Sequence, residues 1–142
     1  MNITIISSRQ SHLVDLRKLF LEVRQRTFSW KDSSSFHLDD FDSETKGERV
    51  LIALCNAEIA GFISVWLPDN FVHHLFVYSR FQNLGIGSKL LEKAITKFGL
   101  PISLKCLERN NNAVEFYKRK GFTAKATGGE GDNRYIFFEL DS

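Results

Sequence analysis

Residues 77 to 88 read Val-Tyr-Ser-Arg-Phe-Gln-Asn-Leu-Gly-Ile-Gly-Ser, and they join an apolar strand-like run to a helix whose buried stripe is Ile86, Leu90, Leu91, Ala94, Ile95 and Phe98. The junction limits what the chain can be. Gly85 and Gly87 lack a Cβ, so the backbone can curl close to a ligand, and the first N–H groups of the following helix have no intrahelical partner. Those donors and the positive end of the helix dipole favour an anion such as phosphate. A tight connection without a ligand has the same local pattern, so a second motif has to decide between them.

The 142 residues carry 43% hydrophobic and 25% charged side chains, which suits one folded domain spanning residues 1–142 with its own core. A formal net charge of +2, with no long basic run, implies no nucleic-acid partner. No apolar run approaches the ~18 residues of a membrane span, and no charged leader precedes one. Cys55 and Cys106 lie far apart in apolar runs, so neither a disulfide framework nor a zinc spacing is present. These features set the expectation of a cytoplasmic protein with free thiols and no metal.

Apolar periodicity sets the element order. Residues 2–6 read as a strand, and Leu13, Leu16, Phe20 and Val23 recur at helical spacing. The serine-rich, acidic stretch 32–48 reads as an irregular connection holding one short helix over 36–41. Strands follow at 50–55 and 58–67, joined as a hairpin through Asn56-Ala57 without the usual glycine. A strand at 71–78 leads into the glycine turn. The helix 86–98 stops at Gly99, and Pro101 forbids its continuation. A strand at 102–107, a helix at 111–120 and strands at 122–127 and 134–140 complete the chain.

The second motif is Asn110-Asn111-Asn112-Ala113-Val114-Glu115-Phe116-Tyr117, closed by Gly121-Phe122. Asn110 and Tyr117 lie two helical turns apart on one face. Together with Gln82-x-x-Gly85-x-Gly87, this resembles the GNAT superfamily of acyl-coenzyme A dependent N-acetyltransferases. The resemblance covers nearly the whole element order and is strongest from residue 71 to 122.

That resemblance implies an α/β (α+β) GNAT fold: a central mixed, mostly antiparallel sheet of about seven strands, with strands 4 and 5 splayed and about four flanking helices. It implies acetyl-CoA as acyl donor, inserted in the gap. Leu75, Phe76 and Val77 would offer backbone groups to the pantetheine arm, and Gln82, Asn83, Leu84, Gly85, Ile86, Gly87 and Ser88 would form the pyrophosphate loop. Asn110, Ala113 and Phe116 would contact the cofactor, although Phe116 is equally readable as plain helix packing. Many members of the family also pair with themselves through their last strands, so a homodimer is among the implied assemblies.

Acetyl transfer to an amine needs a route for the ammonium proton, a donor to the thioester carbonyl and an acid for the departing thiolate. His73 and His74 lie in the strand beside the gap, where an imidazole can accept a proton at neutral pH. Strand alternation sends them to opposite faces, and arylalkylamine-acetylating members resemble the chain in a histidine at the position of His73. Either histidine is also readable as a hydrogen-bonded packing residue. Tyr117 matches the family tyrosine near the sulfur. A backbone N–H from residues 75–77 would serve the carbonyl.

N-terminal protein acetyltransferases of this family carry a glutamate that serves as base where Lys105 stands here, which points away from that acceptor; a primary amine of a small molecule is the acceptor expected instead. Arg24, Phe28, Trp30 and Trp66 are the candidate acceptor contacts, supplying aromatic walls and an anion clamp; they serve equally as packing between the first helix and the sheet. Two rival functions keep the fold: acetylation of a protein lysine or N-terminus, and a non-catalytic acyl-CoA-binding domain.

Overall fold

The computed structural model describes residues 2–142. One seven-stranded sheet runs through it in the order β1-β2-β3-β4-β5-β7-β6. The strands are β1 (Ile3–Ser7), β2 (Arg49–Cys55), β3 (Glu58–Trp66), β4 (Phe71–Val77), β5 (Ile102–Leu107), β6 (Thr123–Gly128) and β7 (Tyr135–Leu140). The helices are α1 (Leu13–Thr27), α2 (Asp40–Glu44), α3 (Ile86–Phe98) and α4 (Asn111–Arg119). The fold class and element order expected from the sequence are those observed.

Alternation in the central strands makes two cores, one on each face of the sheet. Ile52 of β2 and Ile59 and Phe62 of β3 meet Leu16, Leu19, Phe20 and Val23 of α1 and Phe41 of α2. Leu51, Ala53, Ile63 and Val65 face the other way, against Ile86, Leu90, Leu91 and Ala94 of α3 and Val114 and Tyr117 of α4. Both faces are therefore covered, and β3, buried from Ile59 to Val65, reads as one continuous apolar run.

Every strand pairing is antiparallel except β4 with β5, which is parallel and extends only over Phe71↔Ser103 and Val72↔Leu104. Beyond Val72 the two strands share no ladder. β5 turns to β7, pairing from Ile102↔Leu140 to Leu107↔Tyr135, while β4 stays on β3 as far as Gly61↔Val77. Gly61 is required at that end, because a Cβ there would lie 2.6 Å from the Phe76 carbonyl oxygen.

Three local features differ from the sequence reading or extend it. The short acidic helix spans Asp40–Glu44 instead of 36–41, because Phe41 must turn inward onto Phe20 and Phe62 (ring centroids 5.9 and 5.4 Å). Asp40 fixes its start by accepting from the His37 N–H at 2.8 Å. The Asn56-Ala57 hairpin forms with both residues at positive φ (51° and 71°), the geometry of a type I′ turn, with alanine where glycine costs least. Finally, β4 carries a bulge: Ser64 pairs with His74 and Val65 with Val72, so His73 has no partner of its own.

Candidate active site

The separation of β4 from β5 opens a cleft of about 950 Å3. Leu75, Phe76 and Val77 line one wall, and Gln82, Asn83, Gly85, Ile86, Gly87 and Ser88 curve around its end. Asn110, Ala113, Phe116 and Tyr117 close it from α4. Of the residues expected to bind the cofactor, only Leu84 lies outside this lining, at the exposed tip of the turn.

The glycine turn is built to present donors. Gln82 donates its side-chain N–H to the Val77 carbonyl at 3.2 Å, tying the turn to the strand. Asn83 and Gly85 both take positive φ (65° and 79°), and nothing lies within 4 Å of where a Gly85 Cβ would sit. The first bond of α3 runs from the Lys89 N–H to the Gly85 carbonyl at 3.0 Å. The N–H groups of Ile86, Gly87 and Ser88 therefore have no intrahelical acceptor, and Gly85 at the N-cap has no side chain to take them. Arg26 and Arg119 also line the cleft and add cationic charge. Nothing in the sequence distinguishes Arg119 from other surface arginines.

Asn110 caps α4 by accepting from the Ala113 N–H at 3.4 Å. Two turns later Tyr117 is held by Phe116, Phe122 and Phe138, with ring centroids 5.2, 5.6 and 6.1 Å away. Burial, and then the neighbouring Cys106, push its phenol well above the ordinary tyrosine range. Tyr117 stays protonated at any physiological pH, so it can give a proton and cannot take one. Burial likewise pushes the Cys106 thiol up to about 11.

The histidines follow the last β4–β5 pair, on the α1 and α2 side of the sheet, and are not among the residues lining the cleft. Contrary to the alternation expected, they share that side: the bulge at His73 resets the period, and the two rings sit 3.9 Å apart at 33°. His74 is buried with both nitrogens engaged, Nδ1 with Ser64 Oγ at 2.9 Å and Nε2 with Glu44 Oε1 at 3.3 Å. Its ring packs edge-on against Phe20 at 4.8 Å. Burial lowers its pKa despite the opposing pull of Glu44, whose own carboxyl is held down first by the hydrogen bond from His74.

His73 is partly exposed and contacts Glu48 Oε2 through Nδ1 at 2.8 Å. A carboxylate can only accept, so Nδ1 is the donor in this contact, and in the neutral ring with that tautomer Nε2 carries the lone pair. Glu48 itself is only 7% exposed, and its Oε1 has no partner among the described residues. Nothing in the sequence singles out Glu48, and Glu44 reads there either as drawing in a cationic amine or as part of a solvated acidic loop. Both sit in an acidic run whose spacing gives no hint that it folds onto the bulge.

The expected acceptor contacts are scattered. Arg24 is buried, bridges Asp40 (3.1 Å) and Glu44 (3.4 Å), and stacks on Phe20 and Phe36. Its guanidinium is consumed in fixing α2 to α1. Phe28 packs edge-on against Trp30 (5.6 Å) and Phe76 (6.4 Å). Trp30 lines an adjoining cavity of about 280 Å3 with Thr27, Arg109, Asn110, Asn111 and Asn112, which shares Thr27, Asn110 and Asn112 with the cleft, and Arg109 lies over its ring at 4.8 Å. Trp66 sits at the far end of β3, paired with Phe71, away from both cavities. Lys105 lies over the Tyr135 ring at 4.8 Å.

Residues 13–122 match the family model described as the acetyltransferase (GNAT) family. The chain belongs to the GNAT acetyltransferases. A Pseudomonas phage PaMx11 protein named 5-NmdU N-acetyltransferase is 28% identical over 126 residues, covering 84% of this chain and 90% of that protein. The apo solution structure of Escherichia coli YjaB superposes with a TM-score of 0.82 at 19% identity, over 98% of this GNAT chain and 97% of that one. PaiA N-acetyltransferase from Thermoplasma acidophilum, solved in complex with coenzyme A, gives 0.82 at 18% identity over the full length of both. These neighbours share the fold, and the family match over residues 13–122 makes the chain an acyltransferase.

Proposed function

We propose that this GNAT enzyme binds acetyl-CoA in the β4/β5 cleft and moves the acetyl group to a primary amine of a small molecule, by direct attack with donor and acceptor bound together. One observation carries the reading: three unpaired main-chain N–H groups at the α3 turn and a buried, protonated phenol flank the same gap between strands that have lost their ladder. The cleft fits the donor's diphosphate, since the turn offers N–H groups, space where a Gly85 Cβ would stand, and the arginines Arg26 and Arg119. Acetyl-CoA supplies the acyl group as a thioester.

The residues divide the remaining work. The backbone of Leu75 to Val77, freed from β5, provides N–H donors for the thioester carbonyl, a contribution of about 3 kcal/mol where such donors are preorganised. Tyr117 protonates the departing sulfur. His73, oriented by Glu48 with Nε2 unoccupied, takes the amine proton, directly or through a water. His74 has no free nitrogen and holds Glu44 and Ser64 in register. The wall formed by Phe28 and Phe76 bounds the acceptor side.

The phage relative's name supports an amine acceptor and makes 5-NmdU a compound to include among those tested. The deciding assay is thiol release from acetyl-CoA across a panel of small primary amines, 5-NmdU and lysine peptides. A small amine turned over, with His73→Ala slowed ~100-fold or more as expected for loss of a general base, supports the reading. Turnover confined to peptides, or full activity in both His73→Ala and Tyr117→Phe, contradicts it.

A further inference from the structure

Glu44, His73 and His74 come from α2 and from the bulge in β4, about 30 residues apart in sequence, so no spacing in the chain announces them together. Each offers a ligand atom within 4.8 Å of the other two. We propose that this cluster binds a divalent cation of the zinc class, with two imidazole nitrogens and one carboxylate oxygen as ligands and a fourth position open.

The donor set suits that ion. Two histidines and one glutamate are a common three-ligand set for zinc, with water or a small molecule completing the tetrahedron. More telling is what stands behind each ligand. A metal-bound imidazole characteristically gives its other N–H to a carboxylate or a similar acceptor, which fixes its orientation. His73 already holds Glu48 through Nδ1 at 2.8 Å, leaving Nε2 for the metal. His74 Nδ1 is 2.9 Å from Ser64 Oγ, and a hydroxyl can accept as well as donate, so Nε2 can turn from Glu44 to a metal without losing its anchor. Glu44 is held at its other oxygen, Oε2, by Arg24 at 3.4 Å, leaving Oε1 toward the histidines.

A separate observation points the same way. Glu48 buries a carboxylate that is 7% exposed, with Oε1 unpartnered and only His73 on its other oxygen. A single hydrogen bond from His73 leaves the other oxygen of this carboxyl unserved, whereas a dication on His73 Nε2 would polarise that imidazole and strengthen its hydrogen bond to Glu48. Binding does not depend on the proposed reaction. Its consequence, inhibition of acetyl transfer by occupying the nitrogen that takes the amine proton, rests on the role given to His73.

The test uses the full chain without a histidine tag, stripped of metal. Zn2+ alone is titrated by calorimetry, and Co2+ by its visible absorption, which reports tetrahedral nitrogen and oxygen ligation. One ion per chain is expected, with affinity lowered tenfold or more in His73→Gln, His74→Gln and Glu44→Gln and unchanged in the surface variant His37→Ala. Glu48→Gln, which alters only the support of a ligand, is expected to weaken binding by about 10–100-fold. Should His74→Gln fail to fold, the exposed His73 decides. No binding at millimolar Zn2+, or equal affinity in wild type and His73→Gln, overturns the site. Binding that leaves turnover intact upholds the site and removes His73 from the proposed mechanism; inhibition that persists in His73→Gln and Glu44→Gln overturns the site.

Discussion

His73 reaches Glu48 across 2.8 Å through Nδ1, joining an unpaired residue of a strand bulge to a carboxylate from the segment between α2 and β2. The pair leaves Nε2 available and gives the imidazole one orientation. Glu48→Gln keeps a side chain of the same shape but removes the charge that fixes the tautomer. A drop in kcat of about tenfold or more, with KM for acetyl-CoA unchanged, is expected of a group that acts through the base. Steady-state kinetics separate this from a structural role, which would move both parameters or lower the melting temperature.

Tyr117 gives the second prediction. Removing the hydroxyl in Tyr117→Phe leaves the ring contacts with Phe116, Phe122 and Phe138 in place, so kcat should fall by ~10²-fold or more while the fold persists. Burial raises the pKa of this phenol, so it keeps its proton through the range where an exposed tyrosine would ionise. The wild-type rate should therefore show no loss on an alkaline limb between pH 8 and 10 attributable to the acid. A fall in kcat centred near the ordinary tyrosine value would contradict the assignment.

The same burial links pH to stability. Cys106 ionises at about 11 in the folded chain against 9.0 as an unperturbed thiol. The unfolded chain thus releases this proton first, and stability present below pH 9 is lost as the pH rises toward 11. Tyr117 acts in the same direction. Denaturant midpoints should decline from pH 8.5 to 10.5, and less steeply in Cys106→Ala. In the native protein at pH 7.5 a thiol reagent should label neither buried cysteine until denaturant is added.

At the β2–β3 turn, Ala57 adopts φ 71° with no functional contact to justify it. Left-handed backbone costs an alanine about 1–2 kcal/mol, and glycine pays part of that back through its looser unfolded state. Ala57→Gly should raise stability by about 0.5–1 kcal/mol without altering turnover. Equilibrium urea unfolding measures it directly.

What was legible in the sequence follows the physics of each region. The apolar stripe of α3, the Gly85 turn and the Asn110 cap impose their own geometry locally, so the element order could be read from residue spacing, while the cofactor cleft followed only from the family resemblance those motifs carry. The histidine pair could not, because its arrangement depends on a bulge that alternation does not register and on Glu44 and Glu48 arriving from a loop. For Arg24 the sequence leaves clamp and packing both open. An arginine on a helix face looks free to clamp a substrate until Asp40 and Glu44 fold back onto it.

Ser88 permits the most direct test of the central claim, since it lies in the first turn of α3 and lines the cleft. A negative charge there favours the helix through its dipole yet repels a bound diphosphate. Calorimetric titration of acetyl-CoA should give one site per chain in the wild type. In Ser88→Glu the affinity should fall at least tenfold while the melting temperature holds or rises. Equal affinity in the two proteins, or no heat of binding in either, would contradict the account.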